Sequence, residues 1–133
     1  MGITTTGLTS LLTGEAWHYV GATDEPAFNS TWANISTLPK LAFRSRETGI
    51  VDIQGTVTPG ASATSGTAIF TLPTGYRPTV LSYIPIVTNK LGTGTEGSYI
   101  VVGADGVVTP YYDTTGPQVY IYAQVFLDTP AVA

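Results

Sequence analysis

The residues of this sequence best suited to chemistry are flat side chains that also carry a hydrogen-bonding edge. They are Trp17, His18, Tyr19, Trp32, Tyr76, Arg77, Tyr111 and Tyr112. A sugar stacks its C–H face on a flat ring and exchanges hydrogen bonds through its hydroxyls, so this set indicates saccharide binding. We predict Trp32, Tyr111 and Tyr112, near predicted strand ends and loops, as ligand contacts together with His18. Because tryptophans in small β-domains commonly anchor the core, at least one of Trp17 and Trp32 is also expected to be structural.

Catalytic patterns are weak. The sole histidine, His18, has aromatic neighbours on both sides, and the chain has no G-x-S-x-G elbow, so a serine hydrolase is not predicted. Glycosidases need two carboxylates, and five candidates are Glu15, Asp24, Glu25, Glu47 and Asp52. We interpret Asp52 as a solvated outward residue of its strand, and Glu15, Asp24 and Glu25 as loop residues. The prediction is a non-enzymatic protein, with glycan cleavage as the alternative.

The residue types that hold metals and cofactors are scarce. The chain has no cysteine and one histidine, which excludes disulfides, iron–sulfur clusters, thiolate zinc sites and His-rich sites. The glycine-rich stretch 92–97 precedes neither a helix nor a lysine and therefore does not predict a phosphate loop. Asp24 with Glu25, or Asp105, leaves a calcium site open without EF-hand spacing. We predict no metal and no cofactor.

Length and charge narrow the class of protein further. The chain has 133 residues, which suits one domain, and charged residues make up 11%, less than half the usual share of about 25%. Five Lys and Arg against nine Asp and Glu give a net charge of −4, so no nucleic-acid partner is predicted. No stretch reaches the 18 to 20 apolar residues of a membrane-spanning helix, and the start MGITTTGLTS lacks the pattern of a secretory signal. We therefore predict no membrane insertion.

The elements that must position these residues are strands. Fifteen glycines and nine prolines separate runs rich in Val, Ile, Thr and Tyr, which predicts an all-β fold. We expect an antiparallel β-sandwich, jelly-roll-like, of seven or eight strands over residues 15–133, with residues 1–14 as an arm or connector. The predicted strands cover residues 40–44, 49–58, 68–72, 80–88, 98–102, 107–111 and 118–127. An Asp-Gly pair at Asp105 and Gly106 predicts the clearest hairpin.

Two predicted strands are apolar on both faces. In the strand 118–127, one face carries Tyr120, Tyr122 and Phe126, and the other carries Val, Ile, Ala and Leu. The strand 80–88 is also apolar on both faces, and Tyr83 lies on one of them. A monomer seldom exposes a large apolar patch, so we predict a subunit interface formed by Tyr83, Tyr120, Tyr122 and Phe126. The alternative is that the loop 92–97 covers Tyr120 and Tyr122.

Three stretches together resemble a family. Residues 15–22 read EAWHYVGA and are followed by Glu25-Pro26-Ala27-Phe28 and Trp32; residues 41–44 read LAFR, with GIVDIQGTV at 49–57; and residues 69–78 read IFTLPTGYRP, with ADGVV at 104–108. In this order and spacing they resemble a recurrent C-terminal module of tailed-phage tail fibres, baseplate proteins and minor tail proteins, over roughly residues 15 to 127. The third stretch also has a structural interpretation, because Pro73 ends a strand, Gly75 turns the chain, and Tyr76 and Arg77 fix the corner.

The resemblance implies a trimeric β-sandwich head at the tip of a virion appendage, in contact with a host surface that is usually a saccharide. The expected function is a phage adhesion module that recognises host cell-surface carbohydrate as a homotrimer. The resemblance also implies assembly in the bacterial cytoplasm, and we expect residues 1–14 to join the module to other virion proteins. The alternative is a structural virion protein, such as a capsid fibre, a decoration subunit or a tail assembly subunit, that binds no sugar.

Overall fold

The chain folds into strands alone. The computed structural model describes residues 15–47, 49–90 and 97–127, and within them it contains ten strands and no helix, hence none that could cross a membrane. The predicted all-β class is confirmed. The arm predicted over residues 1–14 and most of the loop 92–97 lie outside the described residues. In chain order the strands are β1 (His18–Tyr19), β2 (Ala33–Asn34), β3 (Ala42–Glu47), β4 (Ile50–Thr58), β5 (Phe70–Thr71), β6 (Ser82–Pro85), β7 (Val87–Thr88), β8 (Tyr99–Val102), β9 (Val107–Tyr111) and β10 (Val119–Phe126).

The strands form two antiparallel sheets. One has six strands in the order β1-β3-β4-β10-β7, with β2 also paired to β4, and the other has four in the order β5-β9-β8-β6. The sandwich prediction is confirmed, but ten strands replace the expected seven or eight. Four of the ten, β1, β2, β5 and β7, contain only two residues, which is too short for an alternating pattern to reveal.

The core lies between the two sheets. Alternate residues of β10, beginning at Val119, are buried, and they meet the buried Val51, Ile53 and Val57 of β4. Phe70, Ile100, Val102 and Val108 of the four-stranded sheet belong to the same apolar cluster. Because strand side chains alternate between faces, the other half of each strand faces outward, and these outward residues are the ones available for function.

The hairpin predicted at Asp105 and Gly106 is confirmed, whereas one predicted strand is divided in two. Strand β3 pairs with β4 so that Phe43 lies opposite Ile53, and the Asp-Gly turn joins β8 to β9. The stretch 80–88, predicted as one strand, is two: β6 pairs with β8, whereas β7 pairs with β10 of the other sheet. The chain changes sheet at Ile86, directly after Pro85, whose nitrogen cannot donate to a ladder.

Candidate functional site

An exposed row of side chains crosses the outer face of the six-stranded sheet. Tyr19 of β1 lies opposite Ala42 of β3, which lies opposite Gln54 of β4, which in turn lies opposite Tyr122 of β10. The row spans three strand spacings, so its two tyrosines lie roughly 14 Å apart along the sheet. Ala42 is small and buried, whereas both tyrosines are exposed. The row therefore forms a shallow depression with an exposed aromatic ring at each end.

These residues line an open cleft of about 270 Å³, called here the Tyr19–Tyr122 cleft. Its lining is Trp17, Tyr19, Pro39, Lys40, Ala42, Gln54, Gly55 and Tyr122. One wall, residues 39–41, lies directly against β4, where the Thr56 N–H donates to the Pro39 carbonyl over 2.9 Å. This close approach requires Gly55: its φ is +142°, and a Cβ there would lie 2.5 Å from the Lys40 carbonyl oxygen.

A charge cluster built on a buried carboxylate borders the cleft. The Asp52 carboxylate accepts a 2.9 Å hydrogen bond from Arg46 Nε, and Arg44 Nε lies 3.6 Å from the same oxygen. The Arg44 guanidinium also lies 4.3 Å from the centre of the Trp17 ring, a cation–π contact that holds this indole at the cleft edge. Asp52 points outward as predicted but is only 4% exposed, because the two arginines cover it. Its interpretation as a solvated residue was therefore wrong.

Two of the predicted ligand contacts support the fold. Trp32 is 3% exposed and its Nε1 donates to the Thr67 carbonyl over 3.1 Å, so it is a core residue and we do not retain it as a ligand contact. His18 is half-buried, its ring stacked 5.2 Å from that of Phe43, and its Nδ1 lies 2.8 Å from Glu25 Oε1. Alternation along β1 places His18 and Tyr19 on opposite faces, and only Tyr19 reaches the cleft.

The other two predicted contacts lie at the end of β9: Tyr111 is its last residue and Tyr112 follows it. Tyr111 belongs to a row of three rings across β6, β8 and β9, called here the tyrosine ladder: Tyr83 lies 5.8 Å from Tyr99, and Tyr99 lies 5.3 Å from Tyr111. Tyr112 is half-buried beside the loop 60–65, and burial raises the pKa of its hydroxyl. Tyr111 and Tyr112 line one pocket together with Tyr99, but the structure does not bring them together with His18 or Trp32.

The predicted interface residues separate in the same way. Tyr83, 68% exposed, lies on the four-stranded sheet, whereas Tyr122, 65% exposed, and the exposed Phe126 lie on the six-stranded sheet. Tyr120 is half-buried, and its hydroxyl donates to Gln118 Oε1 over 2.9 Å. The exposed apolar side chains thus lie on both outer faces of the sandwich and do not form one patch.

The turn after β5 joins the two sheets at one corner. Tyr76 N–H donates to the Pro73 carbonyl over 3.1 Å, Gly75 has φ +97°, and Arg77 Nε donates to the Leu72 carbonyl over 2.8 Å. The Tyr76 ring packs edge-on against Phe43. Its hydroxyl lies 3.1 Å from His18 Nε2, so β1 is tied to this turn through one histidine.

His18, Glu15, Glu25 and Tyr76 form a cluster, called here the His18 cluster, in which the pKa values of His18, Glu15 and Tyr76 are shifted. The hydrogen bond with Glu25 raises the pKa of His18, outweighing the effect of burial. Burial would raise the pKa of Glu15, but hydrogen bonds from Tyr76, the Ser45 N–H and His18 lower it. Burial and the neighbouring Glu15 raise the pKa of Tyr76 to about 12. The cluster therefore places His18 between two carboxylates, which favour its protonated form.

This arrangement predicts a stability that depends on pH. A raised His18 pKa stabilises the fold fully below its ordinary value of 6.5, and this contribution is lost as the pH rises through the folded-state pKa. Glu15 acts oppositely, since its contribution is lost as the pH falls below its ordinary value of 4.5. We expect urea unfolding to give a lower stability at about pH 8 than at about pH 6, by less than about 1 kcal/mol because these side chains are about one-third exposed. His18→Gln should flatten this difference; an equal difference in the variant would contradict the assignment.

The cleft combines stacking groups and hydrogen-bonding groups at one place. Its aromatic rings can stack on a ligand, while Gln54 and the tyrosine hydroxyls can donate and accept hydrogen bonds. Sequence analysis singled out Trp17 and Tyr19 by residue type, assigned Tyr122 to an interface and missed Gln54 and Lys40. A comparison with protein-family models gives no match for this chain, and neither does a comparison with curated proteins.

Proposed function

We propose that the chain is a non-enzymatic saccharide-binding module and that the Tyr19–Tyr122 cleft binds the sugar. The observation that carries this proposal is the row in which exposed Tyr19 and Tyr122 flank Ala42 and Gln54. A sugar ring is flat on its C–H face and polar at its edge, so it matches aromatic walls around an amide. The cleft is shallow and open, which suits recognition of part of a polymer.

The wider role that we propose is adhesion of a phage virion to a host-surface polysaccharide. Support comes from the resemblance of three stretches to phage appendage modules, the first of which contains both Trp17 and Tyr19. A shallow site binds weakly, and a homotrimer that presents three such sites would gain strength through effective concentration. In this proposal residues 1–14 connect the module to other virion proteins.

Tyr122→Ala is the direct test of the cleft. Loss of one stacking ring should weaken saccharide binding about tenfold, since such a contact contributes about 1.4 kcal/mol, and Tyr19→Ala combined with Tyr122→Ala should weaken it further. Binding would be measured on an array of bacterial capsule and cell-wall glycans, followed by calorimetry with the glycan that binds best. Both tyrosines are exposed, so the fold should be unaffected.

Two matched variants complete this experiment. Leu81→Ala removes an exposed apolar side chain outside the cleft and should leave binding unchanged. Tyr111→Ala tests the tyrosine ladder as the binding site. Two results would overturn the assignment to the cleft. One is that no glycan on the array binds; the other is that binding is lost in Tyr111→Ala and retained in the cleft variants.

A second candidate function is assembly, and the outer face of the four-stranded sheet favours it. Its outward side chains carry no charge: they are Thr71, Tyr83, Pro85, Tyr99, Val101, Val107, Thr109 and Tyr111. The centres of subunit interfaces are typically poor in charged residues and rich in tyrosine. We propose that copies of the chain associate through this face, and a purely structural virion protein would use it without binding sugar.

A further inference from the structure

We propose that the saccharide bound in the Tyr19–Tyr122 cleft is anionic, with its negative group beside Lys40. This inference rests on the proposed function and adds the chemical class of the ligand. Its basis is where the few cationic side chains of the chain lie. Of the five Lys and Arg residues, three, Lys40, Arg44 and Arg46, lie at the cleft or on the sheet face beside it.

The carboxylate among these cations cannot neutralise the cleft surface. Asp52 contacts both arginines and is almost fully buried under them. Its negative charge therefore pairs with the arginines and is not exposed at the cleft surface. Among the described side chains the two arginines contact this carboxylate, and Lys40 is not part of the cluster. Lys40 therefore places an exposed positive charge at the cleft, although the chain as a whole carries −4.

Lys40 is the cation placed to meet a ligand. It lines the cleft and is exposed, and it makes no ion pair with any side chain that the structure describes. A lysine ammonium donates up to three hydrogen bonds and accepts none, so it binds carboxylate, phosphate or sulfate oxygens better than neutral hydroxyls.

Arg44 adds to this preference without touching the ligand. Its guanidinium rests on the Trp17 ring at the cleft edge, which keeps a fixed positive charge close to the stacking surface. A polymer that is negative overall would be repelled by the rest of the molecule, so selective binding at this face needs the local cations. The geometry therefore favours a sugar that stacks on the tyrosines and places an acidic substituent at Lys40.

Single-stranded nucleic acid is the competing anionic ligand, since its bases also stack on aromatic rings. Proteins that bind it typically track the phosphate backbone along a positively charged groove. Here the cations that border the cleft are only two, Lys40 and Arg44, among the described residues, and the chain is acidic, which favours a short saccharide segment.

The test compares charged and neutral probes on the intact chain. Polygalacturonate supplies carboxylates, glycerol-phosphate polymer supplies phosphates, dextran is neutral, and oligo-dT represents nucleic acid; all are printed with the glycan array. We expect the best binder to be an acidic saccharide, its carboxyl-reduced or dephosphorylated form to bind at least fivefold more weakly, and added salt to weaken binding.

Variants separate this inference from the proposed function. Lys40→Gln should lose about fivefold to tenfold in affinity for the acidic glycan and show less salt dependence, while Lys40→Arg should bind almost normally. A best binder that is neutral, or an unchanged affinity in Lys40→Gln, would overturn the anionic class and leave saccharide binding intact. Oligo-dT binding more tightly than every glycan would also overturn it. No glycan bound at all would refute the proposed function itself.

Discussion

Gly55→Ala should destabilise the protein by about 3–5 kcal/mol, an unusually large effect for adding one methyl group. Gly55 has φ +142°, a conformation that side chains with a Cβ rarely adopt. The added Cβ would lie 2.5 Å from the Lys40 carbonyl oxygen and 2.6 Å from the Leu41 nitrogen. Both are main-chain atoms that cannot rotate away, so the segment leading into β3 would have to leave β4.

Gly75→Ala is the matched control for this substitution. Gly75 also has a positive φ, +97°, but a Cβ there meets nothing within 4 Å. It should cost only the backbone strain, about 1–2 kcal/mol. Urea unfolding followed by tryptophan fluorescence would measure both variants. Equal losses of unfolding free energy in the two variants would show that the close approach of residues 39–41 to β4 does not determine the stability. The claim that this approach requires a glycine at position 55 would then be wrong.

Tyr83→Glu should convert an associated wild-type protein into a monomer. A carboxylate within the tyrosine ladder of the uncharged face would have to be buried without a partner if copies pack through that ladder. Analytical ultracentrifugation at micromolar concentration is expected to give about three chain masses for the wild type and one for the variant. The fold should persist because Tyr83 is among the most exposed side chains.

Tyr122→Glu provides the comparison on the opposite sheet. Its exposure is close to that of Tyr83, yet it lines the cleft, so it should leave the mass unchanged and weaken saccharide binding. A monomeric wild type would remove the assembly proposal. Dissociation by Tyr122→Glu alone would move the interface to the six-stranded sheet and would be incompatible with an open cleft in the assembled protein.

Prediction of the fold from the sequence succeeded where alternation was long. Strand β10 alternates over eight residues, and its pairing with β4 buries the face that the pattern indicates. The pattern fails for two-residue strands such as β1, which are defined only by the strand they pair with. The pattern also fails at Ile86, where the predicted strand 80–88 divides into two strands of different sheets. An apolar run does not show with which sheet each of its parts will pair.

The candidate site was harder to predict. Residue type singled out Trp17 and Tyr19 as possible ligand contacts, but Trp32 has the same chemistry and lies in the core, hydrogen-bonded to Thr67. Alternation also assigned Asp52 correctly to the outward face. It could not show that Arg44 and Arg46 would cover the carboxylate, since burial depends on neighbours from adjacent strands.

The sequence by itself determined the all-β class, the outward or inward side of the longer strands and the surplus of exposed aromatic residues. Only the tertiary structure decided that Tyr19, Gln54 and Tyr122 share one row while Tyr83 and Tyr111 share another on the opposite sheet. The physical reason is that the local pattern of a strand sets the direction of each side chain. Its neighbours across the sheet are set by strand order and register, which arise from contacts between residues far apart in the chain.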